Sequence, residues 1–338
     1  MTRSFLSLTA CTVGLLMFAP RAEAQESTVY ATTIKTGVFV VGSQTPPAGV
    51  FFQHPSADTV WQHTGPAHTR GFSTDVPAAT QGNIKYLASG NGLHKIDEKS
   101  GTWKTVTDWR VTEVLDVTSP PSDPNTIYIA SAYGVFRSND GGATWKESSQ
   151  SGVRPGYTSK IIVDYSNEKR VYCASYDGAF VSDDGAATWK KMDGLTVHGI
   201  LVIRQHPSNP KFLAAGTEDN GIYLSTDAGA VWKKCEAGID HATFYSIAFD
   251  PQQPDVMYAG GYVTGVYKSV NGGASWRRMN TGLVDLNIHS IAVDPRESSR
   301  VFAGTLSDGI YRTDDGGATW RKAGLTGAQV WDVKVVNR

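Results

Sequence analysis

The chain has 338 residues, a formal net charge of −1 and only 19% charged residues. It therefore lacks the basic excess that would favour nucleic acid or an anionic membrane as a partner. Its 35 glycines and 35 aromatic residues (14 Tyr, 12 Phe and 9 Trp) suit many short strands joined by tight turns, and not long surface helices.

The first predicted element is a secretion signal over residues 1–24. A basic start, an apolar run over residues 5–19 and the small-x-small pattern of residues 22–24 are the features that signal peptidase requires. A lipobox ending at Cys11 lies inside the apolar run, which leaves too short a stretch before the cysteine. We therefore expect cleavage after residue 24 and a secreted or periplasmic protein of residues 25–338. No later stretch reaches the roughly 18 apolar residues of a membrane span.

One eight-residue motif, Ser/Thr-x-Asp-x-Gly-x-Thr/Ser-Trp, then recurs at intervals of 43 or 44 residues. Its copies end at Trp145, Trp189, Trp232, Trp276 and Trp320. Weaker copies end at Trp61 and Trp103. Seven units of about 44 residues, each with room for four short antiparallel strands, predict an all-β, seven-bladed β-propeller as one domain over residues 25–338.

The two ends of the chain predict how the ring closes. Residues 330–336 resemble an innermost strand, but no further strands follow them, and residues 29–32 resemble a second strand without an innermost strand before them. We expect the two segments to share one blade, so that the C-terminal strand pairs with the N-terminal strands and buries the faces of the terminal blades.

The repeated motif is the Asp box of BNR repeats. Across its mature length the chain resembles the sialidase-like propeller superfamily, which includes sialidases, xyloglucan-active glycosidases, sortilin-type receptor ectodomains and Ycf48-type photosystem II assembly factors. The resemblance is specific for the fold and weakly specific for the function.

The Asp-box residues are expected to be structural. At the third position of the motif, an Asp or Asn side chain can accept hydrogen bonds from backbone N–H groups across the turn. Glycine at the fifth position supports a left-handed turn, and the tryptophan is expected to pack between blades. The third-position residues are Asp140, Asp184, Asp227, Asn271 and Asp315.

Two sets of loops are predicted to surround one mouth, opposite the Asp-box turns, and this is the ligand face in related propellers. Loops between the second and third strands carry Tyr133, Tyr176, Asp177, Glu218, Asp219, Tyr262 and Asp308. Loops between neighbouring blades carry Trp109, Arg110, Arg154, Tyr157, His198, His241 and Asp285. Such a mixture suits a protein or carbohydrate ligand, although ordinary polar loop tips would have the same composition.

The residues required by known glycosidases are difficult to find. A sialidase needs three arginines for the substrate carboxylate, and the Phe/Tyr-Arg-Ile-Pro segment of that family is missing; residues 70–72 do not replace it. Other glycosidases need two opposed carboxylates. Glu113 with Asp116, or Glu218 with Asp219, can be nominated, but neither pair carries a recognisable motif. Adjacent residues on a strand point to opposite faces, which counts against Glu218 and Asp219 acting together.

No cofactor or metal is predicted. His54, His63 and His68 are close in sequence but lack zinc-site spacing. Cys173 and Cys235 fall on an inner strand of one blade and an outer strand of the next, too far apart for a disulfide.

Two functions remain open. The favoured one is a monomeric, non-catalytic binding or scaffold protein with a protein or glycan partner, and the alternative is a glycoside hydrolase. The alternative requires two mouth carboxylates about 5–10 Å apart, with the pKa of one raised by burial.

Overall fold

The computed structural model describes residues 27–36, 48–54, 57, 60–80, 82–148, 156–240 and 242–337. The predicted signal peptide, with Cys11, lies outside the described residues. Within them the chain forms 28 β-strands in seven four-stranded sheets, and one 3-10 turn at Ala78–Thr80. No helix in this part of the chain has the length and apolar character needed to cross a membrane.

Each sheet is one antiparallel blade. Blade 1 contains β1 (Ser27–Lys35), β2 (Gly49–Gln53), β3 (Gln62–Thr64) and the last strand of the chain, β28 (Gln329–Asn337). Blade 2 contains β4 (Gly71–Asp75), β5 (Ile84–Ser89), β6 (Gly92–Asp97) and β7 (Thr102–Thr105), and blade 3 contains β8 (Val114–Thr118), β9 (Ile127–Ser131), β10 (Gly134–Ser138) and β11 (Lys146–Glu147).

The remaining blades repeat this order from the central channel to the rim. Blade 4 contains β12 (Thr158–Asp164), β13 (Asn167–Ser175), β14 (Gly178–Ser182) and β15 (Lys190–Lys191), and blade 5 contains β16 (Ile200–His206), β17 (Asn209–Thr217), β18 (Ile222–Ser225) and β19 (Lys233–Lys234). Blade 6 contains β20 (Phe244–Phe249), β21 (Met257–Gly261), β22 (Gly265–Ser269) and β23 (Arg277–Arg278), and blade 7 contains β24 (Ile288–Asp294), β25 (Glu297–Thr305), β26 (Ile310–Thr313) and β27 (Arg321–Lys322). The predicted seven-bladed propeller is confirmed.

The predicted closure of the ring is also confirmed. Strand β28 is the innermost strand of blade 1 and pairs antiparallel with β1, from Ser27 opposite Asn337 to Lys35 opposite Gln329. The Ser27 hydroxyl donates to Asn337 Oδ1 at 2.7 Å. The indole of Trp61 in blade 1 donates to the Ala323 carbonyl of blade 7 at 2.8 Å. The two ends of the chain therefore hold one blade together and join it to its neighbour.

The core lies between adjacent blades. The second strands of six blades carry a fully buried aromatic residue at the same register position, and these residues are Tyr30, Tyr86, Tyr128, Tyr172, Tyr258 and Phe302. Burial of each such ring stabilises the fold by roughly 1.5–3 kcal/mol. Blade 5 has Ala214 at this position, opposite Arg204 of the inner strand, which makes it the exception in the column.

The repeated turns form one hydrogen-bonded arrangement. In blade 3, Asp140 Oδ1 accepts from the Ser138 hydroxyl at 2.7 Å and from the Thr144 N–H at 2.8 Å. The Thr144 hydroxyl donates to Oδ2 at 2.6 Å. The third-position oxygen accepts equivalent bonds in the turns of Asp184, Asp227, Asn271 and Asp315. The fourth and fifth positions have positive φ, even where alanine occupies them, as at Ala186 (φ 64°) and Ala228 (φ 60°).

The turn carboxylates predict acid sensitivity. Burial acts to raise the pKa of Asp184, but hydrogen bonds across the turn outweigh it, and such bonds lower the pKa of Asp140, Asp184 and Asp315 from 3.8 to about 2. Because the folded-state pKa is depressed, their contribution to stability is present above about pH 4 and is lost as the pH falls through about 2. Replacing all three with Asn should keep the turns and flatten the fall of Tm between pH 4 and pH 2. Asn271→Asp should steepen the fall, and parallel curves for all three proteins would contradict the prediction.

The repeat tryptophans do not all pack alike. The indoles of Trp145, Trp189 and Trp320 donate to oxygens of the preceding blade, as expected for side chains between blades. Trp103 differs, because it is 49% exposed and its ring lies perpendicular to that of His94 in the neighbouring strand of its own blade. Its turn is an ordinary hairpin in which Trp103 pairs with Ile96 inside the sheet, so the weak copy of the motif does not place its tryptophan between blades.

Candidate functional site

A bulge near the start of every inner strand shapes one end of the channel. The register of the inner strand shifts by one residue near its first pair, in all seven blades. The extra residues are Phe72, Leu115, Ser159, Leu201, Tyr245, His289 and Trp331. Bulges re-aim side chains, and here they form a layer at the end of the channel where the blade-to-blade loops enter. We call this end the mouth.

Four of the bulge residues make a continuous aromatic arc across blades 6, 7, 1 and 2. The rings of Tyr245 and His289 stack with centroids 4.5 Å apart. On the other side of His289, the ring centroid of Trp331 lies 4.3 Å from that of His289. Phe72 meets Trp331 edge-on at 5.5 Å. Burial lowers the pKa of His289 to about 4, so the imidazole is neutral at pH 7. The arc is therefore an uncharged surface that suits planar or apolar groups.

Large exposed aromatic side chains are found at five of the sequence-predicted mouth residues, Tyr133, Tyr157, Tyr176, Tyr262 and Trp109. Of these, Tyr262 lies near Tyr245 of the arc. Burial raises the pKa of Tyr245, and the nearby Glu218, Tyr262 and Asp219 raise it further. The loop residues of blades 5 and 6 therefore adjoin one end of the aromatic arc.

Backbone hydrogen bonds join the mouth loops to one another. The Tyr176 N–H donates to the Tyr157 carbonyl at 2.9 Å, and the Gly199 N–H donates to the Tyr176 carbonyl at 2.7 Å. The Glu218 N–H donates to the Gly199 carbonyl at 2.8 Å. The Tyr262 N–H donates to the Thr243 carbonyl at 3.0 Å. Loops that are held in this way present their side chains in fixed positions, which lowers the cost of binding.

Other predicted mouth residues have partners within the protein. Asp285 accepts hydrogen bonds from Ser307 and Asn287, which lower its pKa although burial acts to raise it. Asp308 accepts from Tyr311 and Lys322. Arg110 forms an exposed ion pair with Asp108 at 2.5 Å.

The remaining predicted mouth residues carry less information. His198 and Asp177 are exposed. Arg154 and His241 lie outside the described residues.

The nominated carboxylate pairs occupy different surroundings. Asp116 is buried in the channel wall, where Oδ2 accepts the Ile161 N–H at 3.0 Å and Lys160 lies 3.5 Å from Oδ1. Burial acts to raise its pKa, but Lys160 and further cations outweigh that effect and lower it. Glu113 precedes the strand, with its carboxylate near Gly90. On the other loop, Asp219 Oδ1 accepts from Thr243 at 2.8 Å, while Glu218 is exposed.

The described residues contain no group of three or more His, Cys, Asp or Glu side chains arranged to hold a metal ion. His63 Nε2 lies 3.0 Å from the Ala48 carbonyl oxygen, whereas His54 and His68 are exposed. Cys173 and Cys235 are buried and free, and burial raises the pKa of each thiol.

The sequence analysis missed a cavity of about 420 Å³ inside the channel. It opens at the end opposite the mouth, between the turns that contain Pro207, Pro251 and Pro295. Its wall includes Arg204 and Lys334 of two inner strands. The sequence shows that Arg204 and Lys334 are charged residues in largely apolar strands, which could have indicated this site. Only the closed ring brings the two strands to the same cavity.

Comparison with solved structures shows the fold. A GH74 enzyme from Niastella koreensis is 17% identical with a TM-score of 0.61, over 87% of this chain and 46% of that chain. An ancestral GH74 enzyme is 22% identical with a TM-score of 0.57, over 64% of this chain and 32% of that chain. This chain thus spans less than half the length of either enzyme.

A shorter propeller matches over most of its own length. YCF48 from Cyanidioschyzon merolae is 15% identical with a TM-score of 0.57, over 76% of this chain and 86% of that chain. A structure described as YCF48 bound to D1 peptide is 14% identical with a TM-score of 0.57, over 79% of this chain and 88% of that chain. No protein-family model and no curated protein sequence matched the chain.

Proposed function

We propose that the chain is an exported, non-catalytic binding protein of the sialidase-like propeller superfamily, and that its mouth binds a segment of a polypeptide partner. The observation that carries the proposal is the aromatic arc of Tyr245, His289, Trp331 and Phe72 beside exposed tyrosines on hydrogen-bonded loops. Export rests on the predicted signal peptide, and a monomer is expected.

The chemistry of the mouth favours a protein partner. Tyrosine and tryptophan dominate the binding energy of protein interfaces because they bury a large area with few rotatable bonds. Acidic side chains at Glu218 and Asp219 beside the arc suit a partner segment that combines aromatic or apolar residues with a basic one. A propeller of the same fold, YCF48, has been described in complex with a D1 peptide, which is a precedent for a peptide ligand on this fold.

A defined peptide array and a glycan array, each probed with residues 25–338, test the proposal. For a captured peptide, Tyr262→Ala and Trp331→Ala should each weaken binding by about tenfold or more, the effect of losing a central aromatic contact. Tyr165→Ala is the matched control, because Tyr165 is 42% exposed in the turn between β12 and β13, away from the mouth. Binding that is insensitive to both mouth substitutions, or capture of glycans alone, would refute a peptide-binding mouth.

One observation keeps the glycoside hydrolase as a second candidate, with its carboxylate pair in the channel wall and not at the mouth where the sequence predicted it. Burial raises the pKa of Asp75, whereas the neighbouring Asp116 has a lowered pKa, and opposed shifts of this kind mark acid and base pairs in enzymes. Release of sugar from sialoside or xyloglucan substrates, lost in Asp75→Asn with the fold intact, would replace the binding proposal with this one.

A further inference from the structure

We propose that the channel cavity is a second binding site, which takes a small organic monocarboxylate with an apolar body. It is separate from the proposed mouth site. None of the seven bulge residues that form the mouth lines the cavity, and a ligand would enter from the opposite end, between the turns of Pro207, Pro251 and Pro295.

The distribution of charge around the inner strands creates the site. One register position of the inner strands holds Asp75, Thr118, Ile162, Arg204, Ala248, Ala292 and Lys334 in ring order. Arg204 and Lys334 thus occupy the first and last of four consecutive blades, and only alanine methyl groups stand at the two positions between them. All four residues line the cavity. The small side chains leave room for a ligand between two cations.

The carboxylates in the wall are already engaged. Asp116 accepts the Ile161 N–H and faces Lys160. Asp332 accepts from the Ser290 hydroxyl at 3.2 Å and from the Ser73 hydroxyl at 3.4 Å. Their oxygens therefore have partners without Arg204.

Arg204 is the cation that has N–H donors available for a ligand. Arg204 Nη1 donates to the Ile203 carbonyl at 3.3 Å, and Arg204 forms no ion pair with the described residues. A guanidinium carries five N–H donors in a planar fork that matches a carboxylate. Lys334, by contrast, donates to the Thr74 carbonyl. The geometry therefore assigns Arg204 as the group that receives the anion.

Size and charge define the ligand class. A volume of about 420 Å³ lies within the range of about 300–1,000 Å³ that is usual for small-molecule sites. Phe249, Val293 and Val335 supply apolar walls for the ligand body. Asp116 and Asp332 repel a second negative charge, which favours a monoanion over a phosphate dianion.

Calorimetric titration with benzoate at constant ionic strength tests the site, with benzamide as the uncharged analogue. Benzoate should bind saturably. Arg204→Gln should weaken binding by about tenfold or more, as expected for loss of a charge-assisted pair. Ala248→Leu, which fills part of the cavity, should weaken it while leaving Arg204 in place. Arg277→Gln, at an exposed arginine of β23, and Tyr262→Ala, at the mouth, should leave it unchanged.

Four results would overturn the inference, and the first three are no saturable binding of benzoate at millimolar concentration, binding of benzamide as tight as that of benzoate, and binding of benzoate by both Arg204→Gln and Ala248→Leu as tight as by the unsubstituted protein. Thermal unfolding of each variant separates loss of the site from loss of the fold. If Tyr262→Ala were the only variant to weaken benzoate binding, benzoate would bind at the mouth, and this result would also overturn the inference of a channel site.

Discussion

Val330→Asp is expected to destabilise the protein by more than about 4 kcal/mol, the largest effect that we predict. Val330 is fully buried at the junction of blades 7 and 1, where it packs in one cluster with Val29, Phe302 and Ile310. An ideal Cβ on Gly304 would lie 2.6 Å from Val330 Cγ1, so the space around the side chain is filled. A carboxylate there would be buried without a partner, in the strand that closes the ring.

The matched control is Val284→Asp, because Val284 is 76% exposed and a surface change of this kind usually alters stability by less than about 0.5 kcal/mol. Thermal unfolding and soluble yield measure the difference. Limited proteolysis should cut Val330→Asp near the chain ends first, since closure joins those ends. A Val330→Asp protein as stable as Val284→Asp would show that β28 is not needed to hold the ring.

Glu98→Gln is expected to cost about 3 kcal/mol, the low end of the range for breaking a buried ion pair. Lys85 is 1% exposed, and Glu98 faces its ammonium group. The ammonium lies 4.5 Å from the ring centre of Tyr30 and 5.4 Å from that of Phe52. No other hydrogen-bond acceptor in the described part of the chain serves Lys85 Nζ. Neutralising Glu98 therefore leaves a buried charge that only aromatic rings face.

A double-mutant cycle tests this interpretation. Adding Lys85→Met to Glu98→Gln should recover most of the lost stability, because a methionine of similar length needs no counter-charge. Asp108→Asn is the control for an exposed pair, and it should cost less than about 1 kcal/mol. Urea unfolding at pH 7 measures the free energy of unfolding of each variant. If Glu98→Gln lowered the free energy of unfolding as little as Asp108→Asn, water would have to solvate the Lys85 ammonium group, and the interpretation of a buried ion pair would be wrong.

The candidate site was only partly accessible from sequence. Alternation of strands and loops located Tyr133, Tyr176 and Tyr262 at one end of the blades, and these side chains are exposed in the structure. The same reasoning could not show that Asp285 accepts a hydrogen bond from Ser307 of another loop, or that Asp308 accepts one from Lys322 of strand β27. Loop position follows from the repeat, whereas hydrogen-bond partners depend on which loops and strands meet in the folded blades.

By itself, the sequence determined the number of blades, the four-stranded unit and the closure of the ring. These follow from a period of 43 or 44 residues, because each period folds into a local unit that must stack on its neighbours. Only the tertiary structure decided which side chains meet across the channel. The aromatic arc depends on a one-residue bulge in each inner strand, and the cavity depends on Arg204 and Lys334 of two blades far apart in sequence. A one-residue register shift changes the side chain that faces the channel, and the periodicity of the sequence does not record it.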